Sequence, residues 1–248
     1  MIDSHCHLAH IEAEPSQTLA DAREAGVHTV IDIAMGLAEC EASTARGGPC
    51  AVGIHPNELE EFEADPSGSM AKLAAIASRP GVVGIGETGL DFFRERSSET
   101  LQVAAFRAHI GLAKELDKAL VIHCRDAHDA VFEVLESEGA PSRVVMHCFS
   151  GGEAFAMECA DRGFFCSFAG NVTYKRNADL RRAAASLPPE LLLVETDAPF
   201  LTPEPHRGHP NAPSLLPITA NRLASERQMP PGELEKHLDD NTRRAFTL

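Results

Sequence analysis

The chain has 248 residues, 44% apolar and 24% charged, a composition that excludes long disorder and suits one large core. It carries no run of about 18 apolar residues and no basic leader before an apolar run, so neither a transmembrane helix nor a signal peptide is expected. A formal net charge of −15 argues against a broad basic surface for long nucleic acid. It still leaves room for a phosphate-bearing substrate held locally by metal ions and a few arginines. Seven cysteines, an odd number without any Cys-x-x-Cys, exclude a complete disulfide framework and point to a reducing, cytoplasmic setting.

Taken in order, short β-like runs alternate with helix-like stretches. Strands are expected at 2–5, 28–33, 50–54, 82–85, 119–123, 143–147, 164–168 and 191–195. Helices are expected at 18–25, 70–78, 99–116, 127–137, 153–162, 178–185, 215–226 and 232–246. Eight strand–helix alternations without a break in rhythm predict a single α/β domain over 1–248, and the length matches a (β/α)8 barrel of about 250 residues. The Pro-rich segment 202–213 follows the last strand as an ordered loop or a mobile lid.

The informative feature is what stands at the strand ends. Asp3-Ser4-His5-Cys6-His7 places two imidazoles on one face of the first strand, because strand side chains alternate sides. His55 follows the third strand, Glu87 the fourth, His123 the fifth, His147 the sixth and Asp197 the eighth. In a parallel barrel these C-terminal ends share the face that carries active sites. Four imidazoles (His5, His7, His123, His147) and two carboxylates (Glu87, Asp197) exceed the three protein ligands of a usual single catalytic zinc. They suit two metals about 3.5–4 Å apart with a shared carboxylate, and Glu87 is the natural bridge. Imidazole-rich donors suit Zn, Mn, Fe or Co better than Mg on softness.

Around this set, Asp3 is a candidate to orient a ligand imidazole, and Glu195 needs a cationic or hydrogen-bonding partner if buried; for both, a purely structural role is the other reading. Cys6, Cys124 and Cys148 are expected to turn away from the histidines as small buried hydrophobes. His55 is a candidate substrate contact, while His109, His128 and His237 read as helix-surface residues.

With these residues assembled, the chain resembles the TatD family of metal-dependent hydrolases over essentially its whole length. The motifs are Asp3-Ser4-His5-Cys6-His7, Gly53-Ile54-His55-Pro56, Gly86-Glu87-Thr88-Gly89-Leu90-Asp91, Ile122-His123-Cys124-Arg125, His147-Cys148-Phe149-Ser150-Gly151 and Glu195-Thr196-Asp197-Ala198-Pro199. Asn57 departs from the pattern, since relatives often carry a histidine there. The resemblance implies a (β/α)8 barrel with Glu87 bridging two divalent ions, His5, His7 and Asp197 completing one and His123 and His147 the other. It also implies a deoxyribonuclease with 3′→5′ exonuclease activity, of a kind associated with Mg-like ions, so Mg, Mn and Zn are the candidates for the two ions.

The expected mechanism is attack by a metal-activated water, with Asp197 both holding a metal and taking the proton. Arg125 and Arg207 are candidate phosphate clamps, since a guanidinium matches phosphate oxygens bidentately. Ser150, with Gly151 and Gly152 before a helix, could hold an anion or cap the helix. Tyr174 and Phe92 could stack a base or simply pack. The substrate is then a DNA strand end or a small phosphodiester, handled by a monomer without a membrane. Two other readings stand beside this one: hydrolysis of a small amide, lactone or ester at the same cup, and a non-catalytic metal-binding scaffold.

Overall fold

The computed structural model of the protein describes residues 1–94 and 96–248. In chain order the elements are β1 (Ile2–Cys6), α1 (Pro15–Glu24), β2 (Thr29–Ile33), α2 (Leu37–Arg46), β3 (Cys50–Val52), α3 (Glu60–Ala64), α4 (Pro66–Ala77), β4 (Val82–Asp91) and α5 (Glu99–Glu115). They continue with β5 (Ala119–Arg125), α6 (His128–Glu138), β6 (Val144–Met146), α7 (Glu153–Asp161), β7 (Phe165–Phe168), α8 (Ala178–Ser186), β8 (Leu192–Val194), α9 (Leu216–Glu226) and α10 (Pro231–Phe246). The eight strands form one sheet in sequential order, the (β/α)8 barrel that the alternation predicts.

Within that fold two compact units are distinguished: Met1–Asp32 with His147–Leu248, and Ile33–Met146. In the first, β1 pairs in parallel with β2, and β7 with β8. β8 returns to β1 through the Cys6–Ala198 bridge, where Asp197 N donates to His5 O at 2.9 Å and His7 N donates to Ala198 O at 2.9 Å. These two bonds carry the end of the last strand beside the end of the first. They bring Asp197 next to the opening histidines.

In the second unit β3, β4, β5 and β6 pair in parallel in that order. β4 runs on to Asp91, so Glu87 lies inside the strand and not after it. Its pairing with β5 slips between Ile85↔Leu120 and Thr88↔Ile122, which leaves Gly86 and Glu87 opposite Val121 alone. Such a bulge re-aims a side chain. Gly86 has φ +136°, and a Cβ there would meet Val121 O at 2.3 Å, so only glycine fits the bulge.

α5 supplies the best-buried helix face of this unit. Phe106 and Ile110 are buried there, each stabilising the fold by roughly 1.5–3 kcal/mol. His109 and Gln102 share that buried face, so the expectation that His109 lies on the helix surface is corrected. The reason is a pair of hydrogen bonds: Nδ1 is 2.7 Å from Ala105 O, and Nε2 accepts from Ile54 N at 3.0 Å. Helix α2 was absent from the sequence expectation. Its buried positions are Leu37, Cys40 and Ser43, and two small or polar residues of three hide the apolar period.

Candidate metal centre

At the end of β1, His5 Nε2 and His7 Nε2 face one another at 3.2 Å. Asp197 Oδ1 lies 3.4 Å from His7 Nε2 and 3.9 Å from His5 Nε2. All three residues are buried. Two nitrogens bound to one tetrahedral ion at about 2.0–2.1 Å lie about 3.3 Å apart, so this spacing accommodates a shared cation as well as a hydrogen bond. The donor set of two imidazoles and a carboxylate fits a divalent metal. Asp197 adopts φ +54°, and Cys148, following His147, adopts φ +44°. Left-handed backbone of this kind gathers where a site holds its residues against local preference.

His147 stacks on His5 with ring centroids 3.7 Å apart. Its Nδ1 lies 3.0 Å from Glu195 Oε1, and Cys148 N donates to the same oxygen at 2.8 Å. Glu195 is fully buried and thus has the hydrogen-bonding partner that the sequence required of it. An imidazole whose Nδ1–H is taken by a carboxylate presents Nε2 as a lone pair, the usual support of a metal-bound histidine. Asp3 lies behind His5 and makes structural bonds. Its carboxylate accepts from Thr196 N at 2.9 Å, Thr196 Oγ1 at 2.5 Å and His5 N at 3.3 Å, so it ties the two strand ends together through Thr196. Burial pushes the Asp3 carboxyl up to about 7, against the lowering effect of those bonds.

The second unit carries its own cluster. His123 Nδ1 lies 2.6 Å from Glu87 Oε1, and His55 Nε2 lies 3.4 Å from the same oxygen. On its other side, His123 Nε2 lies 3.3 Å from Asp91 Oδ2. A neutral imidazole owns one proton, so it cannot donate to both carboxylates. If Asp91 takes the Nε2 proton, Nδ1 and Glu87 share a cation instead. This cluster also fits a divalent metal.

His55 Nδ1 accepts from Asn57 N at 3.0 Å, which puts the ring proton of neutral His55 on Nε2, facing Glu87. His55 is therefore set up as a donor beside the carboxylate. Asn57, the departure from the family pattern, donates from Nδ2 to Asp91 Oδ2 at 2.8 Å.

Asp91 carries more of the site than its place in the motif suggested. Besides Asn57 Nδ2 it accepts Phe93 N and Arg94 N, both at 3.0 Å. Its own N donates to Gln102 Oε1 at 2.7 Å. Burial raises its pKa, but the bonds from His123, Asn57 and Arg94 outweigh that and hold it below the usual carboxylate range. A signal was available: Asp91 lies four residues beyond Glu87, on the same face of an extended strand.

The remaining candidates divide. Arg125, the last residue of β5, lays its guanidinium 4.0 Å over the exposed Phe93 ring. Arg207 lies 4.6 Å over Tyr174, whose hydroxyl donates to Thr202 O at 3.0 Å. Tyr174 is buried, in line with a packing role, and carries Arg207 over its ring. Ser150 is exposed and does not cap α7, whose N-cap is Gly152. Cys6 is buried as expected, whereas Cys124 and Cys148 are only partly buried. The loop after Asp197 is ordered: Thr202 Oγ1 donates to His209 O at 2.6 Å, and Asn211 Nδ2 to Thr196 O at 2.8 Å.

Residues 2–247 match the family model described as TatD related DNase. The chain belongs to that family. A Mycobacterium tuberculosis protein named as the uncharacterized metal-dependent hydrolase TatD is 38% identical over 262 residues, covering 100% of this chain and 98% of its own. The 3′-5′ ssDNA/RNA exonuclease TatD of Klebsiella pneumoniae is 37% identical over 244 residues, 94% of this chain and 91% of that protein. Among solved structures, the TatD homolog YJJV of Escherichia coli superposes with a TM-score of 0.92 at 30% identity, covering 100% of this chain and 98% of that one. No helix among the described residues is long and apolar enough to cross a membrane.

Proposed function

We propose that this metal-dependent hydrolase is a 3′→5′ exonuclease that cleaves the phosphodiester at the end of a DNA strand. The observation that carries the reading is the convergence of His5, His7 and Asp197 on one point, in a family whose Klebsiella pneumoniae member bears the name of an exonuclease. As the resemblance implies, residues 1–248 are read as a single catalytic domain with a binuclear centre. When ions are bound, the resemblance implies that Glu87 would be shared between them, that His5, His7 and Asp197 would hold one, and that His123 and His147 would hold the other. Mg, Mn and Zn are the candidate ions.

Bound divalent ions supply a water of lowered pKa and neutralise charge on the phosphoryl oxygen. The protein's own groups do the rest. Asp197 receives the proton of the attacking water at its carboxylate. His147, held by Glu195 through Nδ1, keeps Nε2 free of a proton for its ligand role. His55 offers its Nε2–H beside Glu87 to a substrate oxygen. Arg125 and Arg207, each laid over an aromatic ring, bind flanking phosphates, and Ser150 contacts the strand. Seven free cysteines support a reducing, cytoplasmic setting, and the chain is read as a monomer.

The test strips the protein of metal and reloads it singly with Mg, Mn or Zn. It is then given 3′-labelled single-stranded and duplex oligonucleotides and a panel of amides and lactones. Release of 3′-terminal nucleotides, abolished by Asp197→Asn, is the expected result. Turnover of only an amide or lactone would move the protein to small-molecule hydrolysis. Silence on every substrate would leave a scaffold.

A further inference from the structure

We infer that Phe200 is the stacking platform for the nucleobase that flanks the scissile phosphodiester. The inference rests on the phosphodiesterase reading above and names how the same site holds its substrate. Four large apolar side chains are exposed among the described residues: Phe93, Met157, Phe200 and Leu248. A singly exposed apolar residue needs no explanation by itself. Phe200 differs in position and in rigidity. Its ring centroid lies 5.9 Å from that of His7, with planes at 69°, while 46% of the residue stays open to solvent. Phe93, by contrast, already carries the Arg125 guanidinium at 4.0 Å.

The backbone under Phe200 is held from both sides. Its N donates to Asp197 O at 2.8 Å, and its O accepts from Asn211 Nδ2 at 2.6 Å. Asn211 ties the same turn to Thr196 O at 2.8 Å. An aromatic ring is thus fixed one turn from Asp197 and edge-to-face with His7, where it loses little entropy on binding. A T-shaped contact with His7 occupies one face of the ring at most.

The charge of the chain explains why such a platform is needed. At −15 the protein repels a polyanion at long range, so affinity for a strand end has to come from local terms. Stacking is uncharged and accepts any base, since every base has a π-face. An exonuclease that advances through all four bases requires that tolerance.

The test uses the full-length, metal-loaded enzyme on two single-stranded oligonucleotides alike except at the 3′ end. One carries a normal terminal and penultimate base; the other carries tetrahydrofuran abasic residues at both. For the normal end, Phe200→Ala should raise KM about tenfold or more, the weight of one lost base stack. The abasic end should show no comparable change, and Phe200→Trp should restore the normal KM. An equal loss on both ends would overturn the inference, as would no loss on either. If the wild type cleaves neither, the nuclease reading fails. Stacking is then read from the fluorescence of a 2-aminopurine-terminated oligonucleotide, quenched by wild type and not by Phe200→Ala. Absence of that difference would overturn the inference on its own terms.

Discussion

One oxygen of Glu195 accepts the amide of Cys148 at 2.8 Å and lies 3.0 Å from Nδ1 of His147. The carboxylate is fully buried, so these partners are what make its burial tolerable. It sets the orientation of the ring and which nitrogen is left for a metal.

Replacing Glu195 by Gln keeps the shape but removes the charge that makes the ring a stronger donor. We predict that Glu195→Gln weakens divalent metal binding by about 10- to 100-fold, the usual cost of a lost supporting carboxylate. Calorimetric titration of Mn into metal-stripped protein measures it. An unchanged affinity would mean that His147 binds no metal.

Burial holds His109 down to about 4, below its ordinary 6.5, although its bond to Ala105 O opposes that shift. Between those pH values the unfolded chain binds a proton there and the folded chain does not. Stability from this group is therefore complete above about 6.5 and is lost as pH falls toward 4, by about 3 kcal/mol in all. Denaturant unfolding of His109→Gln should be less pH-dependent by that amount over the same window. Parallel pH profiles for the two proteins would contradict it.

A Cβ on Gly89, whose φ is +136°, would meet His123 O at 2.1 Å. Gly89→Ala must push β4 from β5 at the residue that carries His123, so we predict a loss of about 3 kcal/mol or more with weakened metal binding. Thermal unfolding with and without Mn reads both effects.

If Arg125 and Arg207 each engage a phosphate, Arg125→Ala and Arg207→Ala should weaken oligonucleotide binding at low salt. Each should also flatten the log–log salt dependence by about 0.7. A slope that stays at the wild-type value for either variant removes that arginine from the phosphate contacts.

How much of this was legible in the sequence follows from the kind of signal each residue leaves. Strand ends were legible because imidazoles and carboxylates recur there at regular distance, and His5, His7 and Asp197 do meet. Glu87 was found, but its place inside β4 was not, since a bulge depends on pairing with Val121 across the sheet. Helix α2 and the buried His109 were missed for one reason: polar or small residues on a buried face look like surface until their partners, such as Ile54 N, are known. Asp3 could be read as an imidazole support or as a structural residue, but its bond to Thr196, 193 positions away, depends on the fold and left no sign in the sequence. Tyr174, favoured as a packing residue over a stacking one, is buried, whereas aromatic identity alone gave no sign that Phe200 is exposed.

The central claim, a two-metal phosphodiester hydrolase, is tested most directly by titrating Mn into metal-stripped protein while recording nucleotide release from a 3′-labelled strand. The account predicts no release without metal and a plateau at two equivalents per chain. A plateau at one equivalent, or release from the stripped protein, would contradict it.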